Sequence, residues 1–337
     1  MNSLDIVQEK KCSFIICLKF VACLLILNSH CRDIYPFYFL ALGGGHGNAI
    51  FFALSGFCLA NIKFNFCCWF KKRILRILPV TLVVLFSGLV YNVASQRLCL
   101  DYDIVFHDVL NRYWFVWAIL IYYVFFYFII KNGNVKRTTT CLISFALGYV
   151  ALYAFLYTKN TFFIELEGFS PIKVYFYFGV MLMGGLLRQL NEKVCRYVEK
   201  MNVFVLLGFI LILGVVWVGE YASMFVWNKL YSLQFLIHLS ICSFAALIIL
   251  LGKKLDRYIN VQNKLYNLLI VPIADATLEI YLIQVTFKAL SLYFVFPTNW
   301  ALFMIGSILL GKLAQICNSF FYRSIPNFFF NGSYQKK

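Results

Sequence analysis

The sequence predicts an all-helical membrane protein with about ten spanning helices and both termini on the cytoplasmic side. Three observations carry this. Of the 337 residues, 62% are hydrophobic and 13% charged, against roughly 45–50% apolar in a typical soluble domain, and mean hydropathy is +0.80. Apolar stretches close to the roughly 20 residues that cross a hydrocarbon core recur along the whole length. Lys and Arg gather in short clusters between these stretches, as membrane topology demands.

The first span, 13–29, is an apolar run interrupted at its middle by Lys19. With that cation and no small-residue cleavage site behind it, the run reads as a retained span rather than a signal peptide. A glycine-rich GGGHG at Gly43 to Gly47 then allows a tight return of the chain. The second span, 48–62, carries the string FFALSGF, and the third, 77–94, follows the basic string KKRILRILP. The fourth and fifth, 113–130 and 139–157, flank Lys131, Lys136 and Arg137. After a short sixth at 174–187 come 203–219, 230–251, 268–295 and 300–321. The ninth is expected to begin with a bend, because Pro272 cannot donate a backbone hydrogen bond.

With these limits, 21 of the 30 Lys and Arg fall on the side of the N-terminus, six fall opposite, and Lys19, Lys288 and Lys312 lie within spans. Cytoplasmic loops carry the excess, so the N-terminus is cytoplasmic and an even number of spans returns the C-terminus there. One membrane domain is expected over 1–337, with no soluble domain. The net charge of +16 is thereby accounted for as topology rather than nucleic-acid binding. Twelve cysteines form neither a CxxC pair nor a Cys/His zinc spacing, so no metal is expected. The opposite-side loops 95–112 and 158–173 hold Asp101, Asp103, Asp108, Glu165 and Glu167, which either line an entry for a polar substrate or are ordinary solvated charge.

Ionisable residues inside spans cost about 2.5–3.5 kcal/mol each on insertion scales and are functional candidates by default. Asp275 and Glu279, four apart, are expected on one face of the ninth helix, with Lys19 as their cationic partner. The other reading is a buried ion pair that fixes packing. His30 lies eleven residues beyond Lys19, about 16 Å along a helix, and its near-neutral pKa suits proton transfer from a hydroxyl. His46, within the glycine turn, is a weaker candidate of the same kind. Ser55 packs, orients a catalytic partner or serves as nucleophile, and Gly56 permits close helix approach. Arg73 and Arg76, three apart, project from one helical face at the cytoplasmic mouth, where guanidinium forks match phosphate oxygens; positive-inside anchoring explains their charge but not their spacing. His238 reads as a packing histidine.

These pieces, in this order, resemble the acyltransferase-3 family of integral membrane acyltransferases. The carriers are KFVACLLILNSH, GNAIFFALSGFCLA, FKKRILRILPV, WFVWAILIYY, YFYFGVMLMGGLL and ATLEIYLIQ. The resemblance implies a bacterial multi-pass cell-membrane enzyme that moves an acyl group, usually acetyl, from cytoplasmic acyl-CoA (acetyl-CoA) to a hydroxyl of a surface polysaccharide or its lipid-linked precursor. It implies His30 as the essential histidine, Lys19 as the basic residue before it and Arg73 and Arg76 as the paired arginines. Two departures stand out: Lys19 where the family usually has Arg, and Gln284 where it often has His, which makes Glu279 the stronger proton-handling candidate. The rival reading is a transporter of a glycan or small solute, in which Lys19, Asp275 and Glu279 form a substrate or proton path.

Overall fold

The computed structural model describes residues 12–94, 111–131, 133–157, 161–164 and 168–324. The acidic residues expected to line an entry, Asp101, Asp103, Asp108, Glu165 and Glu167, lie outside them. Among the described residues all regular structure is helical. In chain order the helices are α1 (Ser13–Ser29), α2 (Gly44–Leu59), α3 (Phe66–Ala94), α4 (Trp114–Ile130), α5 (Val135–Leu156), α6 (Pro171–Gln189), α7 (Asn191–Lys200), α8 (Val203–Val226), α9 (Phe235–Leu255), α10 (Val271–Asp275), α11 (Thr277–Ser291) and α12 (Thr298–Ser324).

Each of the ten predicted apolar segments overlaps a helix, and the first coincides with α1. Among the described residues, four helices are long and apolar enough to cross a membrane: Val135–Leu156, Val203–Met224, Phe235–Tyr258 and Thr298–Phe320. A bent pair, Tyr266–Asp275 with Thr277–Val285, makes up to five. Three other apolar helices fall short in length: α1, α2 and α4 have 17, 16 and 17 residues. A helix surrounded by protein needs no continuous lipid-facing surface, and α2 is such a helix, buried from His46 through Leu59 on most of its circumference. α5 is closer to the opposite case: only Thr138 is fully buried, Leu142, Phe145 and Tyr153 pack against the core from one side, and Ile143, Leu147, Val150 and Phe155 are exposed on the other.

Small residues let α2 approach its neighbours closely. A Cβ at Gly56 would meet the Met181 carbonyl oxygen at 1.9 Å, and one at Gly184 would meet that of Ala53 at 1.9 Å. A Cβ at Gly47 would sit 2.8 Å from the Ala22 carbonyl oxygen of α1. Around this centre packs an aromatic core in which Phe52 contacts Phe115, Tyr122 and Tyr177 at centroid distances of 4.5, 5.1 and 5.4 Å. A second, smaller core joins Cys23, Leu27, Cys31 and Ile34 to Ile273, Ala276, Ile280 and Phe303. α1 lies between the two.

Several helix ends are capped from a distance. Cys12, before α1, offers no capping oxygen; instead Asp256, just past α9, accepts the Phe14 N–H at 2.8 Å, satisfying one of the donors a helix start leaves open. Lys254 donates to the Val198 and Glu199 carbonyls at 2.9 and 3.0 Å, closing the C-terminal end of α7. α7 itself, NEKVCRYVEK, falls where the sequence reads as loop charge.

Candidate active site

A cleft of about 150 Å³ opens among α1, α2, α3, α4 and the junction of α10 with α11. Lys19 enters from α1, Ser55 and Cys58 from α2, Arg73 and Arg76 from α3, and Phe115, Ile119 and Tyr123 from α4. Asp275, Thr277 and Glu279 close it from the junction. Six of the candidate residues therefore share one wall system: Lys19, Ser55, Arg73, Arg76, Asp275 and Glu279. Gly56, beside them, is taken up by the contact with α6.

Local sequence explains the arginines. α3 continues without a break from Phe66 through the basic string, beginning ahead of the expected span, so residues 73 and 76 fall on one face a turn apart. The Arg73 guanidinium sits 5.5 Å from the ring of Trp69, one turn earlier, which holds it against the helix.

Asp275 and Glu279 reach the cleft by a different route from the one their spacing suggests. The helix does not run through them: it bends by 65° at Ala276, leaving Asp275 at the end of α10 and Glu279 in the first turn of α11. Pro272 is accommodated earlier, by a π-turn over Tyr266–Ile270. At the bend itself the Thr277 hydroxyl donates to the Ile273 and Ala274 carbonyls at 3.3 and 2.8 Å, supplying donors where the ladder is interrupted. Glu279 is buried, and its Oε1 accepts from Asn318 Nδ2 of α12 at 3.0 Å.

His30 does not line this cleft. It stands immediately after α1, its backbone N–H donating to the Leu27 carbonyl. The chain folds back beside it: Asn28 Nδ2 donates to the Leu40 and Leu42 carbonyls, both at 2.9 Å, and Tyr35 donates to Asn28 Oδ1 at 2.7 Å. Gly43 then adopts φ +103°, where a Cβ would lie 2.8 Å from Leu25; only glycine makes this return without strain. Lys288, on α11, pairs with Asp33 at 2.7 Å. Burial, then the charges of Lys288 and Lys173, lower the His30 pKa from its ordinary value to about 4. Lys173 is itself buried, its ammonium 4.4 Å from the Trp114 ring.

Two levels result. Lys19 and Glu279 stand at one, His30 and Lys288 at the other; nine residues of α11 separate Glu279 from Lys288, about 14 Å. The structure thus places Glu279 with the cleft and Asn318. The residues that act electrostatically on the imidazole are Lys173 and Lys288. Sequence reasoning passed over both, counting Lys173 as loop charge and Lys288 as an incidental cation. A lysine inside an apolar run is the signal that marks Lys288.

The remaining described histidines stand among aromatic rings. His46 is in the first turn of α2 rather than in a loop, with Trp217 and Phe244 edge-on at 4.6 Å each. His238 stacks on Phe176 at 3.9 Å and its Nδ1 is 2.9 Å from the Tyr149 hydroxyl.

A membrane bundle with cations and carboxylates gathered in a single cleft, and a histidine at the far end of the same helix, is the arrangement in which the family comparison falls. A family model described as an acyltransferase domain matches residues 13–311. The chain belongs to the acyltransferase-3 family. The match takes in α1 through most of α12, and with them every cleft residue named above. Neither the curated proteins nor the solved structures gave a match. What this acyltransferase can do chemically follows from its charges: Lys19, Arg73 and Arg76 suit an anionic ligand, and a neutral imidazole suits the removal of a hydroxyl proton.

Proposed function

We propose that this acyltransferase moves an acyl group, acetyl in the simplest case, from cytoplasmic acyl-CoA to a hydroxyl of a surface polysaccharide or of its lipid-linked precursor. The reading includes ten spans in a bacterial cell membrane, both termini inside. One observation carries it: α1 runs from a cleft bearing Lys19, Arg73 and Arg76 to His30, about 16 Å away along the helix axis. Phosphates of the donor bind at the arginines, and the extended pantetheine arm bridges the distance past Lys19. The glycan hydroxyl arrives from the other side.

In this reading His30 takes the hydroxyl proton while the oxygen attacks the thioester carbonyl; the C–S bond breaks and the proton leaves with the CoA thiol. A depressed pKa keeps the imidazole neutral and able to accept that proton. Glu279 offsets the cationic charge of the cleft and, through Asn318, ties α11 to α12. Replacing His30 by Ala abolishes glycan acetylation without lowering protein abundance; a variant that still acetylates normally overturns the assignment. The transporter alternative separates cleanly. The enzyme consumes acetyl-CoA only when a glycan acceptor is present, whereas a transporter moves solute across a liposome membrane without acyl-CoA.

A further inference from the structure

Coenzyme A carries its phosphates in two places, a 5′-pyrophosphate and a separate 3′-phosphate on the ribose. Arg73 and Arg76 project from one face of one helix and address one of these. A third guanidinium approaches from another side. Arg188 lies in the last turn of α6, four residues after Gly184, so the two share a face. That face is fixed against α2, because Gly184 lies under the Ala53 carbonyl and Gly56 under that of Met181 with no room for a Cβ at either.

The result is visible in where Arg188 goes. A cation ending a helix is favoured by the helix dipole wherever it points, and at a membrane boundary it ordinarily extends into water. Arg188 instead turns toward α2 and lies half-buried, 5.2 Å from the Phe57 ring. The next residue, Cys58, lines the cleft and lies within electrostatic reach of Lys19, Arg188 and Arg73. Cations from three helices thus act on one point of the cleft wall, Lys19 and Arg73 as lining residues and Arg188 from behind that wall. No carboxylate pairs with Arg188 among the described residues. Stacking on Phe57 occupies the face of the guanidinium and leaves its N–H edges for a planar, bidentate acceptor.

We infer that Arg188 binds the 3′-phosphate of coenzyme A, making the cleft selective for coenzyme A over its 3′-dephospho form. This deepens the proposed function and rests on it. The test is binding of coenzyme A and 3′-dephospho-coenzyme A to purified full-length protein in nanodiscs, by calorimetry. Wild type should prefer coenzyme A by roughly ten- to a hundredfold, as one charge-assisted contact supplies. Arg188→Ala should lose that preference, its affinity for the dephospho form staying within about twofold of wild type on this contact arithmetic. Arg188→Lys, which keeps the charge but not the fork, should keep part of the preference, and it serves if the alanine variant fails to fold. Arg196→Ala, exposed on α7, should change neither affinity. A wild-type preference that persists undiminished in both Arg188 variants overturns the inference while leaving acyl-CoA binding intact. Wild type that binds neither ligand overturns the proposed function instead.

Discussion

Gly56→Ala tests the contact on which the geometry of the cleft depends. The added Cβ would lie 1.9 Å from the Met181 carbonyl oxygen, 2.9 Å from its carbonyl carbon and 3.0 Å from the Gly185 nitrogen. All three are backbone atoms, so no side chain can rotate away. Ordinary contact begins at 3.4 Å, and α2 must therefore part from α6 by about 1.5 Å. Overpacking of this kind costs about 1–3 kcal/mol. Gly184→Ala meets the Ala53 carbonyl oxygen at the same 1.9 Å and should cost a similar amount. Because both substitutions separate the same two helices, the double variant should lose less than their sum. Gly179→Ala on α6 is the control: nothing lies within 4 Å of its Cβ position, and exchanging Gly for Ala in a helix favours it by about 0.8–1.0 kcal/mol. Thermal unfolding in nanodiscs reads all four. Parting the helices also carries Ser55 and Cys58 outward, so acyl-CoA affinity should fall in Gly56→Ala and hold in Gly179→Ala. If Gly56→Ala unfolds at the temperature of wild type, the close α2–α6 approach is refuted.

Three further outcomes follow from the same geometry. The His30 pKa is lowered to about 4, so the base form persists as pH falls through the ordinary histidine value of about 6.5; the acid limb of the pH–rate profile should lie well below that value and move upward in Lys288→Ala, and a limb at or above it contradicts the placement. Cys58 is exposed and lines the cleft, so in a variant with the other cysteines replaced by Ser, N-ethylmaleimide labelling should slow when coenzyme A is added, and labelling indifferent to coenzyme A argues against a donor site there. Asp256 caps α1 across 242 residues of sequence; Asp256→Ala should cost about 1 kcal/mol in thermal unfolding, while Asp256→Asn, which keeps an acceptor oxygen, should recover most of it.

The helical class, the membrane setting and the order of the apolar helices were legible in the sequence because they rest on local properties: apolar length, charge between apolar runs, and turn-forming glycine. So were the arginines of α3, since a spacing of three fixes a shared face in any helix, and the return at Gly43, since a left-handed residue there has to be glycine. His30 stood out by its distance from Lys19, which is a property of one helix. Local reasoning failed where the backbone departs from regularity. Asp275 and Glu279 obey a four-residue spacing on paper, yet the helix breaks between them, and whether a chain bends at Pro272 or at Ala276 depends on which carbonyls find donors nearby.

What only the tertiary structure decided is which residues from different helices meet. Nothing in the sequence sets Glu279 beside Asn318 rather than at the level of His30, or brings Lys173 and Lys288 to the imidazole. Nor does it turn Arg188 inward toward Phe57, because that orientation comes from glycines four residues away pressed against another helix. By itself the sequence determined the helices and the residues rich enough in chemistry to matter. The packing of α2 against α1 and α6 determined their neighbours, since contacts between helices are set by backbone approach and side-chain volume summed over distant parts of the chain.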